Sequence, residues 1–237
     1  MSAEIRNLLL GNLQSIRDRI TRSCLRAGRA VDEVTLVAVT KYAELDWIQE
    51  LIQLGCRELG EARPQQLVAR ARSLDPEIRW HLIGHLQRNK AEDLLPIVHR
   101  IHSVDSVRLF DHLAKLSQKR ERRTSILLEV NVSGESSKDG FDPVELLAVW
   151  PQLQTCEALE ISGLMTMAPQ TDQVESARPV FRRLRELRDQ MRDAAGGRVL
   201  LPELSMGMSN DFEIGIEEGA TIIRIGSSLF AGLAADA

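Results

Sequence analysis

The regular alternation of strand-like and helix-like segments is the feature that most constrains the fold of this chain. Short β-rich apolar runs predict strands at 34–41, 56–60, 79–83, 100–104, 125–131, 159–165, 203–206 and 221–225. Apolar residues at helical spacing predict helices at 47–54, 64–73, 89–96, 107–121, 142–154, 176–193 and 210–218. Because strict strand–helix alternation is typical of parallel pairing, we expect a parallel sheet.

Eight such units in roughly 210 residues fit a compact (β/α)8 (TIM) barrel. An extra N-terminal helix is predicted from the spacing of Ile5, Leu9, Leu13, Ile16 and Ile20. No linker or change of composition divides residues 1–237, so we expect a single domain. A doubly wound open sheet is the alternative, because periodicity alone does not reveal closure. In a closed barrel, functional residues belong at the C-terminal ends of the strands.

Composition and charge argue against several classes of protein. The 237 residues carry 30 Lys plus Arg against 34 Asp plus Glu, so the strongly basic surface expected of a nucleic-acid binder is lacking. No apolar run approaches the ~20 residues needed to cross a bilayer, and the first residues do not resemble a signal peptide. Cys24, Cys56 and Cys156 form no CxxC pair. We therefore expect a cytoplasmic protein that binds neither nucleic acid nor membrane.

Amine chemistry is restricted to five lysines, Lys41, Lys90, Lys115, Lys119 and Lys138, because the other 25 basic residues are arginines. Lysine can lose a proton and attack a carbonyl, whereas arginine stays charged. Lys41 ends the most hydrophobic predicted strand, so we expect its amine at the barrel mouth, partly desolvated and suited to a Schiff base. The alternative is a strand-end lysine that reaches into water. Lys138, in the loop GESSKDG, is a secondary candidate.

Two glycine-containing segments follow or end the seventh and eighth predicted strands. In SMGMSND, Gly207 permits a tight turn, and Ser209 or Asn210 is suited to cap the next helix. In TIIRIGSS, Gly226 and Ser227 open the last helical segment. (β/α)8 barrels often bind phosphate at these two loops, at the N-terminus of a short helix. We therefore expect an anion cradle here, with ordinary turn and capping chemistry as the alternative.

Arg224 is charged within an otherwise apolar strand, so it either has an ion-pair partner or faces a polar site. An amine on the first strand opposite a phosphate cradle suits a phosphorylated aldehyde, and pyridoxal phosphate is the obvious candidate. A Schiff-base aldolase that acts on a sugar phosphate without a cofactor is also compatible.

Other sequence signals are weaker. His81 and His85 are four residues apart, but no acidic residue completes a recognisable metal motif, so we expect no metal site. Glu129 and Asn131 end the fifth predicted strand, where they either line the mouth or cap the following loop. The chain contains no GxGxxG, Walker A, GxSxG or HExxH motif.

Seven segments, distributed nearly end to end, together resemble one known family. They are VAVTK ending at Lys41, HLIGHLQRNK at 81–90, IHSVDS at 101–106, EVNVSGESSKDG at 129–140, GLMTM at 163–167, LSMGMSNDF at 204–212 and TIIRIGSSLFAG at 221–232. On these segments the chain resembles the pyridoxal-phosphate homeostasis proteins, also called the YggS or PROSC family. Their fold is similar to the N-terminal domain of alanine racemase.

The resemblance implies a (β/α)8 barrel preceded by an N-terminal helix, with pyridoxal phosphate joined to Lys41 as an internal aldimine. It implies that the phosphate lies around Ser209, Gly226 and Ser227, with Asn210 nearby. Arg224 resembles the residue that faces the pyridine nitrogen. A guanidinium there would keep that nitrogen unprotonated and weaken the ring as an electron sink.

One segment departs from the family pattern. Family members commonly read GEN after the second strand, with the asparagine close to the cofactor. Here Ala62 follows Gly60 and Glu61, so the amide contact is lost. Arg63 or a water molecule would have to replace it.

The resemblance also implies a role. The expected protein binds pyridoxal phosphate and buffers it or delivers it, to pyridoxal-phosphate-dependent apoenzymes among others, without evident catalytic turnover. We expect it to be a monomer. The alternative is a pyridoxal-phosphate-dependent amino-acid racemase, which needs a second base opposite the first. Tyr42 is the only tyrosine in the chain, and this counts against the racemase.

Overall fold

The computed structural model describes residues 2–135, 139–169 and 173–233. Eight parallel strands form a closed barrel in which each strand pairs with the next and β8 pairs with β1. The strands are β1 Thr35–Val39, β2 Glu58–Glu61, β3 Arg79–Leu82, β4 Arg100–Val104, β5 Thr124–Glu129, β6 Leu159–Met165, β7 Glu203–Met208 and β8 Ile222–Ile225. The helices are α1 Ser2–Arg26, α2 Leu45–Gln53, α3 Pro64–Ser73, α4 Ala91–Leu94, α5 Val107–Lys119, α6 Pro143–Leu153, α7 Ala177–Ala194 and α8 Phe212–Glu217. Closure confirms the (β/α)8 barrel and excludes the open sheet.

Many element boundaries differ from the sequence prediction by one or two residues, and those of β1 and α4 are the most informative. β1 ends at Val39, so Lys41 lies two residues beyond the strand, in a turn. The helix predicted at 89–96 is reduced to a short 3-10 turn followed by the single turn of α4. Pro96 accounts for the early end of α4, because proline has no backbone N–H to continue the helical hydrogen bonding.

The N-terminal helix packs on the outside of the barrel by one apolar face. The buried residues of this face are those that the spacing predicts: Leu9, Leu13, Ile16 and Ile20, with Ile5 partly buried. Ion pairs of 3.0 Å between Arg19 and Glu213 and of 2.8 Å between Arg26 and Glu217 hold α1 beside α8. Although α1 is the longest helix, neither it nor another helix of the described residues is long and apolar enough to cross a membrane.

The barrel interior is more polar than the core outside it. Most buried apolar side chains form one cluster between the strands and the helices. A small separate cluster contains Val37, Leu127, Met165 and Ile222, and strand alternation places it inside the barrel. The interior also holds buried polar side chains, among them His81, His102, Ser205 and Arg224. Branched apolar residues usually fill this space, so these polar groups need hydrogen-bond partners.

Candidate ligand site at the barrel mouth

A cavity of about 1130 Å³ opens at the C-terminal ends of the strands. All six predicted site residues line it: Lys41, Ser209, Asn210, Arg224, Gly226 and Ser227. Parallel strands direct their C-terminal ends to one face of a barrel, so residues from both ends of the chain meet there. The secondary candidate, Lys138, lies outside the described residues.

Lys41 is exposed, so the expectation of a partly desolvated amine is wrong. The physical reason is that β1 ends at Val39 and the lysine extends from the turn beyond the barrel wall. Its Nζ lies 4.9 Å from the centroid of the Tyr42 ring, within the range of a cation–π contact. The amine is therefore accessible to a ligand that arrives from solution.

A buried ion pair holds the turn that carries Lys41. Arg70, on α3, forms this pair with the carboxylate of Glu61. Its guanidinium also donates to the carbonyl oxygens of Thr40 at 2.7 Å and Ala43 at 2.6 Å. Arg70 thus fixes both ends of the turn over 40–43. No sequence pattern points to this arginine, because the contacts form only when α3 packs beside the end of β1.

One serine joins the loop after β7 to the turn after β8. The hydroxyl oxygen of Ser209 accepts hydrogen bonds from the backbone N–H groups of Gly226 and Ser228, each at 3.3 Å. The expectation that Ser209 or Asn210 caps α8 is wrong, since Asp211 occupies the N-cap position. Ser209 instead connects the two loops that were predicted to form one cradle.

Two backbone N–H groups at this cradle are available to an anion. Those of Asn210 and Ser227 donate no hydrogen bond to any described residue. The segment after Ser227 is a turn rather than the predicted helix, and in it the N–H groups of Leu229 and Phe230 both donate to the carbonyl of Gly226, at 2.9 and 3.2 Å. Backbone N–H groups of turns form concave anion sites without a helix, so the geometry still fits a phosphate.

Gly207 lies within β7, at a shift in the register with β8, and has φ of +97°. Gly207→Ala is expected to lower the free energy of unfolding by at least about 2 kcal/mol, measured by urea denaturation. A non-glycine residue is strained at this φ, and the added Cβ would lie 2.8 Å from Cα of Phe212. Gly196→Ala is the control, since Gly196 also has positive φ but no atom within 4 Å of an added Cβ. Equal losses in the two variants would contradict the steric contribution.

Arg224 is buried at the cavity and has no carboxylate partner within 4.0 Å among the described residues. The predicted alternative of a structural ion pair is therefore wrong. The guanidinium donates from Nη1 to the hydroxyl of Ser205 at 2.6 Å and from Nη2 to the carbonyl of Thr166 at 3.0 Å. Burial lowers the pKa of Arg224 to about 10, and the charges of Glu129 and Asp211 oppose this shift. The group remains a cation at neutral pH.

Ala62 lines the cavity at the position where the family pattern has an asparagine. It packs closely on Gly84, where an added Cβ would lie 2.4 Å from the carbonyl oxygen of Ala62. Arg63 is exposed and precedes the first turn of α3. It is not among the residues that line the cavity, so it does not replace the missing amide.

Glu129 is a buried carboxyl group at the mouth end of β5. Its side chain makes no hydrogen bond or ion pair with a described residue. Burial is the main reason that the pKa of Glu129 rises from 4.5 to about 7. The neighbouring charges of Asp105 and Asp139 raise this pKa further, whereas Arg224 lowers it.

The raised pKa of Glu129 predicts a specific pH dependence of stability. A carboxyl group whose pKa is higher in the folded protein opposes folding once it ionises, so the loss develops between about pH 4.5 and about pH 7. Glu129→Gln should remove it and stabilise the protein by up to about 3 kcal/mol above that range, with little difference below it. Urea denaturation at the two ends of the range measures the effect. The exposed Glu186→Gln is the control, and a pH-independent difference for Glu129→Gln would contradict the shift.

The two histidines of the segment HLIGH lie in separate clusters, each with an acidic partner that the sequence did not reveal. Nε2 of His81 is 2.7 Å from Glu58, and Nδ1 of His85 is 3.1 Å from Asp105. Both clusters contain three residues with metal-ligating atoms. At the first, however, Glu58 also forms an ion pair with Arg79, and this cation competes with a metal ion.

The chain is similar to known proteins over the barrel and much of its N-terminal helix. The family model described as "Alanine racemase, N-terminal domain" matches residues 12–234. A pyridoxal phosphate homeostasis protein of Aquifex aeolicus is 40% identical over 92% of this chain and 95% of its own length. The human protein of the same name is 35% identical over 92% of this chain and 84% of its own length.

Solved structures agree with these relatives. The structure of PipY from Synechococcus elongatus PCC7942 with PLP bound is 34% identical, with a TM-score of 0.80 over 91% of this chain and 100% of that chain. This chain belongs to the family of pyridoxal phosphate homeostasis proteins.

Proposed function

We propose that this protein binds pyridoxal 5'-phosphate at the barrel mouth and acts in its intracellular homeostasis, as a buffer or a delivery protein. The observation that carries the proposal is that an exposed amine, an anion cradle and a buried guanidinium line one cavity. The names of the relatives and the bound PLP of PipY support the same ligand.

The residues present fit the cofactor group by group. Nζ of Lys41 is the amine that lines the cavity, suited to condense with the aldehyde, forming a C=N bond and releasing one water. The free backbone N–H groups of Asn210 and Ser227 suit the phosphate, and Ser209 holds their two loops together. When bound, the cofactor would supply a reactive aldehyde and a ring that withdraws electrons.

Arg224 supports binding rather than carbanion chemistry. A guanidinium has only N–H donors and no acceptor, so opposite the pyridine nitrogen it would donate to that atom and keep it unprotonated. An unprotonated ring is a weaker electron sink. Tyr42 also argues against the racemase alternative, because its ring lies beside Nζ of Lys41 and not opposite it. We therefore infer a non-catalytic role.

Delivery requires that the bound cofactor be reachable. Lys41 is exposed at the open end of the barrel, so water or a recipient's lysine amine can reach the same bond and reverse it. Apoenzymes that use the cofactor are the partners that this chemistry suits. A cytoplasmic location is part of the proposal, supported by three cysteines that are all free. The monomeric state stays a prediction.

Titration of the purified protein with pyridoxal phosphate tests this proposal. We expect a visible absorption band that saturates at one equivalent, and release of the cofactor to an added apoenzyme. Prolonged incubation of the loaded protein with L-alanine should yield no D-alanine. Sustained production of D-alanine would overturn the non-catalytic role, and a protein that stays colourless with added cofactor would favour the aldolase alternative.

A further inference from the structure

A chain of hydrogen bonds crosses the interior of the barrel from Arg224 to the opposite end of the strands. Nη1 of Arg224 is 2.6 Å from the hydroxyl of Ser205, which is 2.9 Å from Nδ1 of His102. Nε2 of His102 is 2.9 Å from Nδ1 of His81, whose Nε2 is 2.7 Å from Glu58. These five residues, on β8, β7, β4, β3 and β2, are here called the relay.

The two ends of the relay, together with neutral histidine rings, determine the direction of every bond in it. Arginine can only donate, and an ionised carboxylate can only accept. Ser205 therefore accepts from Arg224, and Glu58 accepts from Nε2–H of His81. When both rings are neutral, Nδ1 of His81 accepts from Nε2–H of His102, and Nδ1 of His102 accepts from the hydroxyl of Ser205. Each neutral imidazole then carries its proton on Nε2.

Burial and charge around the histidines favour the same state. Both rings are at most 2% exposed, and burial lowers the pKa of each. The cation of Arg100 lowers both values further. At His81, the charge of Arg79 acts in the same direction, whereas the hydrogen bond and charge of Glu58 oppose it.

The relay restricts the orientation of the Arg224 guanidinium at the cavity. Two of the N–H groups of Arg224 are used below the cavity, by Ser205 and by the carbonyl of Thr166. These two anchors fix the plane of the guanidinium and leave its other donors for a ligand. The hydrogen bond to His102 orients the hydroxyl of Ser205 that accepts from Arg224, so the histidines help to position this anchor.

We propose that the relay positions the guanidinium of Arg224, so that Ser205, His102, His81 and Glu58 are positioning residues of the ligand site. Glu58 begins β2, whereas the cavity lies at the C-terminal ends of the strands. A residue at the base of the barrel thus acts on the ligand at its mouth. The effect on pyridoxal phosphate rests on the proposed function, but the directions of the hydrogen bonds do not.

Nitrogen-15 NMR of the unliganded protein, with labelled histidine, tests the directions themselves. Of the five histidines, His81 and His102 should be neutral at neutral pH, with the proton on Nε2. A proton on Nδ1 of either ring, or an imidazolium at neutral pH, would overturn the relay. This measurement needs no variant and no cofactor.

Variants then test the action at a distance. In Ser205→Ala, the NMR signals of His81 should change although the two residues do not touch, and pyridoxal phosphate should bind about tenfold more weakly with a shifted visible band. Glu58→Leu should act in the same direction, and Glu58→Gln, which keeps an acceptor oxygen, should restore the wild-type band. Ser162→Ala is the matched control, because Ser162 is a buried serine that bonds Ser125 outside the relay.

The results separate the two proposals. If Ser205→Ala leaves both the signals of His81 and the visible band unchanged, the relay is wrong. If the wild-type protein binds no pyridoxal phosphate, the proposed function fails, while the NMR measurement still decides the directions of the hydrogen bonds.

Discussion

Replacing Lys41 with alanine is expected to abolish covalent attachment of pyridoxal phosphate and leave the fold intact. Lys41 contributes the amine at the cavity, and the methyl side chain of alanine cannot form the C=N bond with the aldehyde. Because the side chain is exposed and its contact with Tyr42 is a surface one, the free energy of unfolding should change by less than about 0.5 kcal/mol. Visible absorption after addition of the cofactor measures attachment, and urea denaturation measures stability.

Lys115→Ala is the matched control for this experiment. Lys115 is also exposed, but it lies on α5 and does not line the cavity. It should keep the full visible band. A Lys41→Ala protein that binds the cofactor covalently as the wild type does would show that another amine is used.

The second large effect is expected from Arg70→Ala, which should cost about 3–5 kcal/mol of stability. The variant leaves the carboxylate of Glu61 fully buried without its cation, and it removes the donor to the carbonyls of Thr40 and Ala43. Because these groups hold the turn of Lys41, condensation with pyridoxal phosphate should also slow. Urea denaturation and the rate of appearance of the visible band measure the two effects.

Arg72→Ala controls for loss of a positive charge on the same helix, because Arg72 is exposed. It should change stability by less than about 0.5 kcal/mol. The double variant Arg70→Met, Glu61→Leu should recover part of the loss, since replacing both partners removes the unpaired buried charge. Equal stability of the Arg70 and Arg72 variants would contradict the role of the buried pair.

Much of the fold follows from local sequence patterns. Strands buried on both faces are continuous apolar runs, and turns after each run mark their ends, so all eight strands were predictable to within a few residues. Closure of the barrel was not predictable from local patterns, because the pairing of β1 with β8 joins segments almost a chain length apart. The count of eight strand–helix units and then the family resemblance, rather than periodicity, favoured the barrel over an open sheet.

Some residues of the candidate site were predictable from the sequence, and others were not. Lys41, Ser209 and Gly226 were predictable because the end of a parallel strand locates a residue at the mouth whatever its neighbours are. The exposure of Lys41 was not, since it depends on how far the lysine lies beyond the last residue of β1. Arg70 and the relay escaped prediction because their partners are distant in sequence and belong to different strands and helices.

Borohydride reduction of the protein loaded with pyridoxal phosphate, followed by peptide mapping, tests the central claim most directly. Reduction converts a reversible C=N bond into a stable secondary amine, so the modified lysine can be identified by mass spectrometry. We predict one modified peptide, with the adduct on Lys41. A principal adduct on Lys138 or another lysine, or no adduct at saturating cofactor, would contradict the assignment of Lys41 as the lysine that binds the cofactor.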